Sequence, residues 1–195
     1  MTDFEELRFG GKYKNGIIEL AAGRPLLFSV EVDTAFTDTY RHWAEDYITE
    51  LENQGLVSGV SESKFCPEKK LTYAEWITLV VKYLGLDVPE TDGSHWSSRY
   101  VAAAEKAGII SGNIDLDKEI SRARMCEILV TALEKVKGVV LVSGNLTFKD
   151  SDECDSVTVS KAVNAGFISG YEDNTFRPNE SLTRAEAARI LSEKL

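Results

Sequence analysis

The chain has 195 residues, 43% of them apolar and 28% charged, and a net charge of −10. This length suffices for one large domain or an array of small ones with a core, and the apolar share excludes wholesale disorder. The acidic balance excludes a general nucleic-acid binder, because neutralising phosphates needs a basic footprint. No apolar run approaches the ~18 residues that a membrane span needs.

Residues 1–35 differ in character from the rest of the chain. Ile17–Leu20 and Leu26–Val32, separated by Gly23-Arg24-Pro25, are predicted as two strands. A reading of this segment as the tail of an upstream domain stays open. Met1-Thr-Asp-Phe-Glu-Glu6 lacks the basic and apolar regions of a signal peptide. If the protein acts outside the cell, the expectation is that this chain is a mature or excised piece.

From residue 36 onward one unit is written three times, in segments 36–90, 91–147 and 148–195. Each copy opens with a predicted helix whose apolar positions superpose: Trp43, Tyr47, Ile48 and Leu51; Trp96, Tyr100, Val101 and Ala104; Cys154, Thr158, Val159 and Ala162. The spacing is one helical face, and three matching stripes suggest that these first helices share a common centre. Glycine turns come next at Gly55-Leu-Val-Ser-Gly59, Gly108-Ile-Ile-Ser-Gly112 and Gly166-Phe-Ile-Ser-Gly170, their first glycines 53 and 58 residues apart. Such a period marks supersecondary units that bury their faces only against neighbours.

A second helix closes each copy. Apolar residues return at the same offsets after Thr72, Ser121 and Thr183: Ala74, Ile77, Val80 and Leu84; Ala123, Cys126, Leu129 and Leu133; Ala185, Ala188, Leu191 and Leu195. Thr72 with Glu75, and Thr183 with Glu186, are capping boxes; Ser121 keeps the hydroxyl but has Arg124 in place of the carboxylate. From first glycine to the residue after the cap, copies one and three span 18 residues and copy two only 14. Copy two also lacks the Phe-x-Pro found at Phe65-Cys66-Pro67 and Phe176-Arg177-Pro178. Between copies two and three, Val139-Val-Leu-Val142 is apolar enough for a short buried strand or packing segment.

Three cysteines, Cys66, Cys126 and Cys154, form no C-x-x-C pair and stand where other copies have ordinary residues. They are expected as buried or neutral replacements and neither metal nor redox ligands, the alternative being one surface thiol that pairs with a partner. No metal or cofactor is expected: Asp173-Asn174 lacks the regularly spaced oxygens of a calcium loop and is predicted as a turn. His42 and His95 are expected to serve helix entry, and no nucleophile–base set or phosphate loop stands out. The chain is therefore expected to be no enzyme.

Phe36-x-Asp38, His42-Trp43-Ala44, Gly55, Gly59, Phe65-x-Pro67 and Leu71-Thr-x-Ala-Glu75, with their stronger counterparts from Phe148 to Glu186, closely resemble the S-layer homology module. The resemblance covers residues 36–195. It implies a mainly α fold: three helical hairpins in a pseudo-threefold spindle with prongs around a central three-helix bundle; the strand pattern of residues 1–35 adds a short N-terminal segment with β character. It also implies a noncatalytic anchor of a bacterial surface protein, outside the cell at the wall. Its inter-repeat grooves would bind secondary cell-wall polysaccharide bearing anionic ketal groups, usually pyruvylated N-acetylmannosamine. Other surface-layer proteins are further expected partners; nucleic acid and membrane insertion are not. The alternative is a degenerate triplet that mediates protein assembly without glycan.

Within that resemblance, Arg184 and Arg122 occupy the first position of a helix, where a cation opposes the dipole. An adjacent anion such as a ketal carboxylate, shared with free N–H groups of the helix start, would explain them; the alternative is a solvated or intramolecular ion pair. Tyr73 replaces the arginine in copy one, leaving at most a stacking surface. Trp43 and Trp96 lie on the apolar stripe and are expected first as packing residues, and otherwise as indole faces lining a groove. Gly59, Gly112 and Gly170 are expected in left-handed turns, with close approach to a ligand as a secondary role.

Overall fold

A computed structural model of the chain describes residues 5–6, 11–14, 17–20, 36–91 and 93–194. The chain divides into two compact units, Met1–Asp33 and Thr34–Leu195. In the first, β1 (Glu5–Glu6), β2 (Gly11–Lys14) and β3 (Ile17–Leu20) form an antiparallel sheet in the order β1-β2-β3. The predicted strand Ile17–Leu20 is present. The predicted strand Leu26–Val32 lies outside the described residues. Lys14 pairs with Ile17, so the Asn15-Gly16 dipeptide in the sequence is a hairpin signal that points to β2 as well.

The second unit holds six α-helices: α1 (Glu45–Asn53), α2 (Tyr73–Leu84), α3 (Ser98–Lys106), α4 (Arg122–Ala132), α5 (Ser156–Asn164) and α6 (Arg184–Lys194). The odd-numbered helices are the first helices of the three copies and the even-numbered ones the second. Both capping boxes form, Thr72 with Glu75 and Thr183 with Glu186. Ser121 caps α4 through the Arg124 N–H alone. Helix α4 runs on into a π turn, Leu133–Lys137, which Gly138 ends at a φ of +65°.

The expected shared centre of first helices is not what the fold adopts. Instead α1 packs against α6, α3 against α2 and α5 against α4, while α2 also meets α4. Each first helix thus leans on the second helix of the preceding copy, counted cyclically. The reason is the width of the buried faces. Helices α1 and α3 bury only Ile48 with Leu51 and Ala103 with Ala104. Helix α2 buries Ala74, Trp76, Ile77, Thr78, Val80, Val81 and Leu84, and α4 buries almost every residue from Arg122 to Val130. A helix apolar on most sides belongs at the middle of a fold and one with a narrow stripe at its margin.

Backbone hydrogen bonds close the cycle. Leu71 N–H donates to the Leu182 carbonyl at 2.8 Å, Ile120 to Leu71 at 2.9 Å and Leu182 to Ile120 at 3.2 Å. All three side chains are fully buried. Each residue precedes a helix cap, so this triangle brings the three second-helix starts together. The segment Val139–Val142 fails its expectation as a buried strand: Val140 and Val142 are 87% and 66% exposed, and Leu141 alone of the four packs on the core. Too few apolar neighbours flank it to cover both faces.

Candidate functional site

The start of each second helix is occupied by the loop of another copy. At α6 the Arg184 and Ala185 N–H groups donate to the Lys69 and Pro67 carbonyls of copy one; at α4 those of Arg122 and Ala123 donate to Glu180 and Pro178 of copy three. At α2, Tyr73 and Ala74 donate to Lys118 and Leu116 of copy two. The next N–H of each helix goes to the cap hydroxyl. The orphan donors that an anion would need at a helix start are therefore already satisfied, which corrects the expectation that they stay free.

The two arginines also turn inward. Arg184 Nε donates to the Phe65 carbonyl at 3.0 Å and Nη2 to the Ser58 carbonyl at 2.8 Å. Its guanidinium stacks on the Phe65 ring at 4.2 Å and stands 3.7 Å from Glu75. Burial lowers the Arg184 pKa, with the Glu75 charge acting in the opposite sense. Arg122 repeats the geometry against copy three: Nε to the Phe176 carbonyl at 2.9 Å, Nη2 to Ser169 at 2.8 Å, and Glu186 at 3.7 Å. The cation at the helix start thus meets carbonyl dipoles and a neighbouring carboxylate, the intramolecular alternative. Each arginine clamps the glycine turn of the next copy in the cycle.

Those turns are built by two devices. Gly112 has a φ of +84°, as expected of a left-handed turn, but Gly59 and Gly170 do not adopt positive φ. Their lack of a side chain serves close approach instead. A Cβ on Gly170 would collide with the Phe148 ring, reaching 2.7 Å from Cζ, and one on Gly59 would collide with Phe36 and come within 2.7 Å of the Lys64 carbonyl. The second device is a carboxylate. Asp38 accepts from the Phe65 and Cys66 N–H groups at 2.9 Å each, and Asp150 from those of Phe176 and Arg177 at 2.8 Å each. Burial opposes these charges, yet the backbone bonds outweigh it and hold both carboxyls below the usual range. Cys66 and Arg177 sit at φ +57°, a left-handed conformation that the carboxylate clamp holds in place. Copy two has Pro89 and Thr91 where the others have Phe and Asp, and it lacks Phe-x-Pro too. The sequence shows both losses, and only the structure joins them as the loss of a single device.

Between copies lies a groove of about 390 Å³. The glycine turn of copy one forms one side, α2 contributes Glu75, Thr78, Leu79 and Lys82, Trp96 and Tyr100 of copy two form a wall, and Arg184 of copy three reaches in. Trp96 and Trp43 are 58% and 53% exposed, so the expectation that they pack in the core is overturned. Both stand before the first helical residue, where the stripe has not yet turned inward. His95 accepts from the Ser97 N–H and His42 from the Ala44 N–H, the helix-entry role expected of them.

The cyclic packing changes which residues belong together. The copy-one turn goes with Arg184 and the α3 tryptophan, Trp96. By the same relations the copy-three turn goes with Arg122 and the α1 tryptophan, Trp43, since α1 packs on α6. The copy-two turn goes with Tyr73 and with α5, which Cys154 precedes. The two substitutions therefore fall together on the copy-two turn, while the copy-one and copy-three turns are each matched with an arginine and a tryptophan. Tyr100, Thr78 and Lys82 enter the groove although no motif marks them for it. Thr78 and Lys82 stand at helical spacing on α2, where the other copies carry Glu127 with Thr131 and Arg189 with Glu193, and Tyr100 shows in the sequence only as part of the α3 stripe.

Among the described residues no cluster of His, Cys, Asp and Glu has the arrangement of a metal site, and no helix is long and apolar enough to cross a membrane. Asp173 and Asn174 form the expected turn, with Asn174 at φ +63° and the Asp173 carboxylate accepting from the Thr175 N–H. A fold of three interlocked helical hairpins, with an aromatic-walled groove between copies, is the class of protein defined here. The chain belongs to the S-layer homology domain family, whose model matches residues 35–76, 91–114 and 147–188. It is 31% identical to an amylopullulanase of Thermoanaerobacterium thermosulfurigenes over 83% of this chain and 9% of that one. It is 32% identical to the S-layer protein EA1 of Bacillus anthracis (77% and 19%) and 31% to an S-layer protein of Bacillus licheniformis (77% and 18%). The chain thus spans less than a fifth of these relatives. Modules of this family anchor S-layer proteins and surface enzymes to the cell wall, and this segment is a noncatalytic module of a cell-surface protein.

Proposed function

We propose that residues 36–195, as repeats 36–90, 91–147 and 148–195, hold a larger surface protein to the wall by binding secondary cell-wall polysaccharide in the inter-repeat grooves. A pyruvylated N-acetylmannosamine unit is the proposed ligand. The observation that carries this reading is the half-exposed Trp96 facing a groove to which all three copies contribute. An exposed aromatic ring that walls a groove marks a ligand site where a ring standing alone on the surface would not, and an indole packs well on the C–H face of a sugar while its N–H hydrogen-bonds to a hydroxyl. Arg184 and Arg122 act by holding the glycine turns Ser58-Gly59 and Ser169-Gly170 against the ligand; Gly112 and Tyr73 belong to the groove proposed to be inactive. Sedimentation with wall sacculi tests the proposal. The chain pellets with native sacculi and stays in solution once the polysaccharide has been removed; pelleting that survives the removal overturns the reading.

A second reading, a triplet that assembles with other surface-layer proteins, is favoured by the groove that has lost both its arginine and its tryptophan. It requires self-association or binding to surface-layer proteins without glycan, and light scattering of the purified chain distinguishes it.

A further inference from the structure

If Arg184 is committed to the Ser58 and Phe65 carbonyls and faces Glu75, and the helix-start N–H groups are satisfied, the groove needs another cation to meet a ligand carboxylate. Helix α2 supplies one. Glu75, Thr78, Leu79 and Lys82 succeed one another along the face of α2 that floors the groove, at the spacing of three and four residues that stacks side chains on a helix. Lys82 is exposed, and its ammonium has no ion pair among the described residues. Thr78 carries the second observation. The residue is 8% exposed, lines the groove, and its Oγ1 is buried without a hydrogen-bond partner. A buried hydroxyl left unpaired destabilises the fold, and a turn about χ1, which threonine makes between two helical rotamers, exchanges hydroxyl for methyl. Neither residue recurs: the equivalent positions are Glu127 and Thr131 in copy two, and Arg189 and Glu193 in copy three. In copy two Arg124 pairs with Glu127 across that floor.

The geometry points to Lys82 and Thr78 as the specificity-determining pair of this groove: Lys82 meets the carboxylate of an acidic sugar and Thr78 meets a hydroxyl of the same unit, while Arg184 is a positioning residue. This rests on the glycan reading above. The groove is then selective for an acidic sugar over its neutral counterpart for a reason peculiar to copy one.

Calorimetric titration separates the two ideas. The probes are the methyl glycoside of N-acetylmannosamine with a pyruvate ketal and the same glycoside without it. The parent binds the ketal form about tenfold tighter, the size of one charge-assisted contact. Lys82→Gln brings the two sugars to within about twofold of each other, and Lys82→Arg restores the preference. Thr78→Val weakens both sugars about fivefold, yet its thermal midpoint equals or exceeds that of the parent, because an unpaired hydroxyl has been removed; a merely structural threonine would lower the midpoint and leave binding alone. A Lys82→Gln variant that keeps the parent's preference overturns the assignment and leaves the glycan reading standing. A parent that binds neither sugar overturns both.

Discussion

Replacing Arg184 by alanine tests whether the arginine clamps the neighbouring repeat. The guanidinium, with 12% of its side chain exposed, makes two hydrogen bonds to carbonyls of copy one and stacks on Phe65. Each hydrogen bond from a charged donor contributes about 1.5–3 kcal/mol when its acceptor stays dry. Ser58 is exposed, so water replaces most of that bond, whereas the Phe65 carbonyl lies part-buried. Adding about 0.5–1 kcal/mol for the stacked cation gives an expected loss of about 2–4 kcal/mol. Urea unfolding followed by far-ultraviolet circular dichroism measures it as a lower midpoint at an unchanged slope. The folded baseline keeps its helical signal, because the Thr183–Glu186 box remains. Arg184→Lys recovers less than half, since an ammonium cannot span two carbonyls as the planar fork does. An Arg184→Ala midpoint equal to that of the parent refutes the clamp.

Four further outcomes are expected. Gly170→Ala destabilises by about 2 kcal/mol through its collision with Phe148, and Phe148→Leu in the same chain relieves part of it; additive costs in that double-mutant cycle sink the close-approach argument. Asp38 and Asp150, whose carboxyls lie below the ordinary range, contribute stability that is fully present above the unfolded carboxylate pKa of about 3.9 and lost as pH falls through their lower folded values. Asp38→Asn therefore flattens the acid limb of a stability–pH curve, and an unchanged limb counts against the carboxylate clamp. Trp96→Ala and Trp43→Ala cost under about 1 kcal/mol of stability, being half exposed, yet Trp96→Ala reduces pelleting with sacculi several-fold. Cys126, its thiol pushed up to about 12 by burial, resists a disulfide reagent at pH 8 in the folded chain while the partly exposed Cys66 and Cys154 react; rapid labelling of all three would show that the α4 core opens.

Periodicity makes the hairpins, their caps and their order readable from the sequence, because a helix start needs a hydroxyl and a carboxylate at fixed spacing and a buried face needs apolar residues every third or fourth position. It cannot say which helices meet. The stripes on α1 and α3 are real, but the wider faces of α2 and α4 decide the centre, and width emerges only when every position is weighed for burial. Trp43 and Trp96 escape their expected place in the core because a stripe extended backward past the first helical residue no longer points inward. The arginines visibly need a counter-group, and the partners of Arg184 are carbonyls more than a hundred residues away in sequence. Such partners come from the cyclic packing and from no local pattern. Tyr73 and Cys154, far apart in the chain, likewise become one defect only once α5 is seen on α4.

The claim that each groove is assembled from three copies, and that two of the three are complete, is tested most directly by a heteronuclear NMR titration with a wall-polysaccharide fragment. The Trp96 indole N–H and the amides of Ser58 to Val60 are expected to shift first and saturate together, the Trp43 indole and the amides near Ser169 to respond as a second set, and Gly112 and Cys154 to stay in place. Shifts centred on Gly112 and Cys154, with the two indoles unmoved, would contradict it.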